Sequence, residues 1–199
     1  RGAMSALAAT VPLPLAGAVR EIDLTPAPGA IQLADDGGPP LPVWAFNGLS
    51  PGPVLRYRVG DTARIRLRNN LPQPTTVHWH GMRVPNAMDG VPGISQDPVL
   101  PGAEFLYEFP VRHPGTFWYH PHPDRRTAPQ VYGGMAGFLV VEDGLDGALG
   151  LPTGERDVPV LLQDRRLFDD RSFTYAPFPM DLMFGYLGDV ALANGASSR

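Results

Sequence analysis

Two histidine pairs constrain this chain more than any other feature. Thr76-Val77-His78-Trp79-His80-Gly81 holds the first, and Thr116-Phe117-Trp118-Tyr119-His120-Pro121-His122 holds the second, so four of the five histidines in 199 residues occur as His-x-His. The neighbours of both pairs are β-branched or aromatic, the composition of strands. Alternate residues of a strand point the same way, so each pair presents both imidazoles on one face, about 6 to 7 Å apart. A single pair could be the polar edge of a sheet; two aromatic-flanked pairs with residues 81–119 between them predict a metal site. Neutral imidazole suits copper, zinc, iron and nickel. A site of imidazoles without thiolate favours copper, iron or nickel over structural zinc, which usually includes cysteine.

What could surround such a site follows from the rest of the chain. The length suffices for one well-buried domain and part of another. The formal charge of −4 gives no reason to expect nucleic acid as a partner, and all 16 basic residues are arginine, scattered as on a solvated surface. With no cysteine, there is no disulfide signal about compartment. No apolar run approaches the eighteen or so residues of a membrane span. Glycine and proline number 23 and 24 and punctuate short apolar runs, as turns between many short strands do.

In chain order, Val19 to Leu24 and Val43 to Phe46 read as strands joined by a turn over Asp35 to Pro40. Val54 to Val59 follows. Ala63, Ile65 and Leu67 alternate with Arg64, Arg66 and Arg68, and Phe105, Tyr107 and Phe109 alternate with Glu104, Leu106 and Glu108; both stretches have the period of a half-buried strand. Gly81 to Pro101 is loop, and Met135 to Glu142 completes seven or eight antiparallel strands without a helix before residue 143. The expected fold is an all-β sandwich. Trp79, Trp118 and Tyr119 are expected to lie opposite to, or between, the histidines as packing. His113 is expected to be exposed and no ligand, and Met82, Met88 and Met135 to fill gaps in the core.

Val19 to Asp143 resembles the first domain of a laccase-type multicopper oxidase. His78-Trp79-His80-Gly81, Gly115 to His122, Asp89-Gly90 and Leu100-Pro101-Gly102 carry the resemblance. It implies a cupredoxin-type Greek-key β-sandwich at 18–143, a linker at 144–156 and the opening strands of a second, incomplete cupredoxin domain at 157–199, including Val158 to Asp164 and Gly188 to Gly195. It also implies copper. His78 would ligate the type 2 ion, His80 and His120 one type 3 ion, and His122 the other, within a trinuclear cluster that reduces dioxygen to water. Asp89, nine residues after His80, matches an acidic residue that helps deliver protons to reduced oxygen.

Two departures from that family stand out. Pro123-Asp124-Arg125-Arg126 follows the second motif where many relatives have a further histidine and glycine, so the cluster's surroundings differ. More importantly, a chain without cysteine cannot build the type 1 copper site. The resemblance therefore implies part of a longer oxidase, nicked, split or continued after Asn194-Gly195, whose C-terminal portion is the partner completing the cluster. Two strands cannot close a sandwich, so residues 157–199 are expected to pack on something outside this chain. Dioxygen and a small reducing substrate (a phenol, an aromatic amine or a metal ion) are the implied reactants, and a periplasmic or secreted location is implied by kinship alone. The alternative is a non-catalytic cupredoxin scaffold or binding protein; retention of four facing imidazoles weighs against it. A copper nitrite reductase, which shares the domain type, needs fewer histidines here.

Overall fold

A computed structural model describes residues 17–33 and 38–197. Asp35 to Gly37 of the turn expected over Asp35 to Pro40 lie outside the described residues. Two sheets face each other. One contains β1 (Val19–Leu24), β5 (Thr62–Arg68) and β7 (Glu104–Pro110) in the order β1-β5-β7. The other has the order β4-β9-β8-β6, from β4 (Leu55–Arg58), β6 (His78–His80), β8 (Gly115–His120) and β9 (Gly137–Glu142). The alternation in β5 and β7 works as its period requires: Ala63, Ile65, Leu67, Tyr107 and Phe109 are buried between the sheets. From the other sheet, Leu55, Tyr57, Trp79, Tyr119, Leu139 and Val141 join the same core. This is the expected all-β cupredoxin sandwich.

The strand pattern departs from the expected one in three respects. The pairs β1/β5 and β4/β9 are parallel, because period-two patterning identifies a strand's buried face and says nothing of its neighbour's direction. A further strand, β2 (Pro26–Ile31), pairs antiparallel with β3 (Leu41–Phe46). Its two prolines obscure it in sequence, and they are tolerated because β2 has a partner on only one side. Finally, a short helix, α1 (Thr127–Tyr132), follows the second histidine pair, with Pro129 in its first turn, where a missing N–H costs nothing.

Strand β3 faces two ways. Phe46 enters the main core, while Leu41 and Val43 join Leu33, Phe173 and Leu192 in a second cluster. That cluster receives the later part of the chain. After α2 (Leu145–Ala148) come β10 (Leu162–Arg165), α3 (Pro179–Phe184), β11 (Val190–Ala193) and β12 (Ala196–Ser197), the three strands pairing in the order β10-β11-β12. This segment, expected to pack on something outside the chain, also packs in part on its own chain, since Leu192 and Phe173 are buried against β3. Many of its apolar residues remain open, including Val158, Val160, Leu162, Leu182 and Phe184.

The turn between β4 and β5 is fixed by Asp61, which is 3% exposed. Its carboxylate accepts from Ala18 N–H (3.0 Å), Arg58 N–H (2.9 Å) and Arg20 Nε–H (2.6 Å). Burial opposes ionisation, but these donors outweigh it and hold the carboxyl below 3.8. The folded-state value lies below the unfolded one. Asp61 therefore stabilises the fold fully above about pH 4, and that contribution is lost as pH falls through the folded value. Asp61→Asn is expected to lower stability at pH 7 by about 2 kcal/mol. It should also shrink the loss of stability as the pH falls below about 4; urea unfolding at several pH values checks both.

Candidate metal centre

Strand β6 has only three residues, and its register with β8 builds the centre. His78 lies opposite His120, Trp79 opposite Tyr119, and His80 opposite Trp118. Alternation sends Trp79 and Tyr119 into the core, both fully buried. Trp79 packs edge-on against Tyr107 with ring centroids 5.2 Å apart, and Tyr119 Oη–H donates to Pro53 O at 2.8 Å. Burying each of these rings contributes roughly 2 to 3 kcal/mol. That burial holds the intervening histidines on the opposite face. Just before β6, Val77 N–H donates to Tyr107 Oη at 2.9 Å, which fixes the strand's entry from the facing sheet.

Backbone carbonyls choose the tautomers. His78 Nδ1 lies 2.8 Å from Asp89 O, and His120 Nδ1 lies 2.9 Å from Pro121 O. A carbonyl can only accept, so both Nδ1 atoms carry the proton and both Nε2 atoms keep a lone pair. His80 Nδ1 stands 3.3 Å from His120 Nε2. Two nitrogens bound to one ion at about 2.0 to 2.1 Å with a near-tetrahedral angle stand about 3.3 Å apart, so this pair has the separation a shared ion requires. One ligand atom from each of His78, His80 and His120 falls within 4.8 Å of the others. Burial pulls the His120 imidazole down to about 4, aided by its histidine neighbours and opposed by the Pro121 carbonyl. At neutral pH a proton therefore does not compete for its lone pair.

His122 stands beside these three and outside their cluster. Its ring lies 5.6 Å from that of His78 and 6.1 Å from that of His120 between centroids. The donor set of neutral imidazoles fits copper. The structure thus brings together the four histidines expected from sequence.

Asp89 approaches His78 twice, through its carbonyl and through its carboxylate Oδ1, 3.4 Å from Nδ1. It ends a short turn over Asn86–Met88, and Gly90 follows with φ +76°. A Cβ at Gly90 would lie 1.9 Å from Val77 O, so only glycine lets this loop press against the strand and aim the Asp89 carbonyl at His78.

Trp118, unlike Trp79 and Tyr119, does not lie opposite to the histidines. It lies on the histidine face, its ring stacked on His80 at 4.9 Å and tilted on His120 at 4.2 Å. Trp118 precedes His120 by two residues on β8, so alternation places it on the same face, and the signal was in the sequence. His113 is exposed, beside Met82, Arg83 and Phe117 in a shallow cleft. Met135 is fully buried, and Met82 and Met88 pack at the edge of the core.

A cupredoxin sandwich with three imidazoles on the paired strands β6 and β8 and a fourth just beyond them defines the class as a metal-binding domain. The profile described as Multicopper oxidase matches residues 29–146. Multicopper oxidase mco of Staphylococcus haemolyticus is 38% identical over 151 residues, covering 75% of this chain and 32% of that protein. The crystal structure of a multicopper oxidase from Pseudomonas thermotolerans superposes with a TM-score of 0.79 at 36% identity, covering 92% of this chain and 42% of that one. Cell division protein FtsP of Rahnella sp. is 33% identical over 170 residues, covering 81% of this chain and 34% of that protein. The chain belongs to the multicopper oxidase family, and it spans about a third of the length of these curated relatives.

Proposed function

We propose that this chain supplies half of the histidine ligands of a trinuclear copper cluster in a laccase-like oxidase. The enzyme would couple one-electron oxidation of phenols, aromatic amines or metal ions to four-electron reduction of dioxygen to water. The observation that carries this reading is the 3.3 Å approach of His80 Nδ1 to His120 Nε2, with the Nδ1 atoms of His78 and His120 committed to carbonyls. His78 would hold the type 2 ion, His80 and His120 one type 3 ion, and His122 the other. Copper bound there would supply the electrons for dioxygen reduction. A chain without cysteine cannot provide a type 1 centre, so electrons would enter through another part of the oxidase, where the reducing substrate is also selected.

On this reading residues 18–143 form the first cupredoxin domain, 144–156 a linker and 157–199 the start of a second. The remaining polypeptide would complete the cluster, in a periplasmic or secreted protein. Among the described residues no helix is long and apolar enough to cross a membrane.

Within this enzyme Asp89 would have two separable tasks. Its backbone carbonyl orients His78, and its carboxylate, 35% exposed, would take protons from solvent and pass them from Oδ1 toward the reacting oxygen. Asp89→Asn keeps the carbonyl and removes the relay. It is therefore expected to leave copper content unchanged while slowing dioxygen consumption about 10²- to 10⁴-fold. A parallel loss of copper would mean that the carboxylate serves only to hold the site.

Metal analysis with electron paramagnetic resonance on the complete oxidase tests the central reading. About four coppers per protein, with blue and type 2 signals, is the expected result; a protein that takes up no copper would favour a scaffold. The likeness to a cell division protein keeps that second reading in view, but a scaffold has no physical need for imidazole tautomers preset by carbonyls.

A further inference from the structure

Of the four histidines, His122 alone lies beyond the paired strands. Strand β8 ends at His120, and its ladder with β6 ends at the His78/His120 pair. The backbone of His122 is held by a side chain instead: its N–H donates to Thr76 Oγ1 at 3.2 Å. Thr76 is fully buried and precedes His78 by two residues, so one hydroxyl joins the two histidine arms where main-chain pairing stops.

Thr76 sits on a rigid base. The adjacent Thr75 exchanges backbone hydrogen bonds with Val99 at 3.0 and 2.9 Å, and its hydroxyl donates to Gln130 Oε1 at 2.7 Å. Gln130 is fully buried on α1, and its Nε2 donates to Pro74 O at 2.9 Å. Residues 74–76 are thereby clamped from two directions. The helix that supplies Gln130 begins five residues after His122, so the clamp also fixes the far end of the segment that carries this histidine.

We infer that Thr76 is a positioning residue for His122. Its hydroxyl sets the ion held by His122 without bearing on the ion shared by His80 and His120, which the β6/β8 ladder fixes by itself. This inference rests on the copper reading above.

The test compares the complete oxidase with its Thr76→Val and Thr76→Ser variants. Valine has nearly the shape of threonine and lacks the acceptor; serine keeps it. In Thr76→Val the ion at His122 is expected to bind about 10- to 100-fold more weakly, the usual effect of losing a group that supports a ligand. Stepwise chelation should remove that ion first. The copper remaining between His80 and His120, no longer coupled to a neighbour, should then appear in the paramagnetic resonance spectrum. Amide exchange at His122 should quicken in the metal-free protein, and Thr76→Ser should behave as the parent.

Three results would overturn the inference: unchanged copper affinity in Thr76→Val, equal losses in the valine and serine variants, or even loss of all copper in step with a lower unfolding midpoint. A parent protein that takes up no copper would overturn the underlying copper reading as well. A copper-replete parent with an unaffected valine variant would overturn this inference alone.

Discussion

His120→Ala is expected to abolish copper binding at the ion between β6 and β8 and to reduce dioxygen consumption by the complete oxidase to background. His120 is 6% exposed, sits opposite His78 in register and brings Nε2 to His80 Nδ1. No other described imidazole can take its place, because His122 falls outside the ligand cluster and His113 is exposed on another loop. Removing a residue that merely supports a ligand weakens metal binding about 10- to 100-fold, and removing the ligand itself should exceed the upper figure. The fold should survive, since the sandwich core lies on the opposite face of β8. Copper analysis with far-ultraviolet dichroism checks both halves of the expectation. His113→Ala serves as the control, and copper loss in it equal to that in His120→Ala would contradict this assignment of the site.

Gly90→Ala should produce a large loss of stability from a single added methyl group. Its φ of +76° costs a residue with a Cβ about 1 to 2 kcal/mol. That methyl would also meet Val77 O at 1.9 Å and His78 N at 2.9 Å. Both are backbone atoms of the strand and its entry, so the loop must move away, and a total of about 3 to 5 kcal/mol is expected. Moving the loop withdraws the Asp89 carbonyl from His78, so copper content should fall as well. Gly93 has the same φ of +76°, but a Cβ added there would meet nothing within 4 Å. Gly93→Ala should therefore cost only about 1 to 2 kcal/mol and leave copper in place. Urea unfolding of the two variants separates conformational strain from collision; equal losses would show that the contact with Val77 is not what makes Gly90 necessary.

The features visible in sequence share one cause: they are set by alternation within a single strand. The faces of β5 and β7, and the convergence of His78 with His80, follow from it directly. Trp118 belongs to the same pattern, and its aromatic character obscured its place beside the histidines. What stayed hidden depends on partners distant in sequence. No local pattern shows that β1 runs parallel to β5, or that β2 forms a strand despite Pro26 and Pro28. The part played by the Asp89 carbonyl is hidden for the same reason, because Gly90 must first pack on Val77. Gln130 reads as a polar residue in a loop until α1 carries it to Thr75. Leu192 has no visible cover until β3 is found to turn Leu41 and Val43 away from the main core.

The brevity of β6 has a thermodynamic consequence. Trp79 anchors the strand in the sandwich while His78 and His80 project from its other side, so ion binding and global unfolding share one cycle. An ion that binds only the native state stabilises it by about 2.7 kcal/mol when its free concentration is a hundred times the dissociation constant. By the same linkage, a core substitution that frees β6 weakens the hold on the ion by the free energy needed to restore the strand. Changes beneath Trp79, remote from any imidazole, should therefore be read out as a lower copper affinity before they are visible as unfolding.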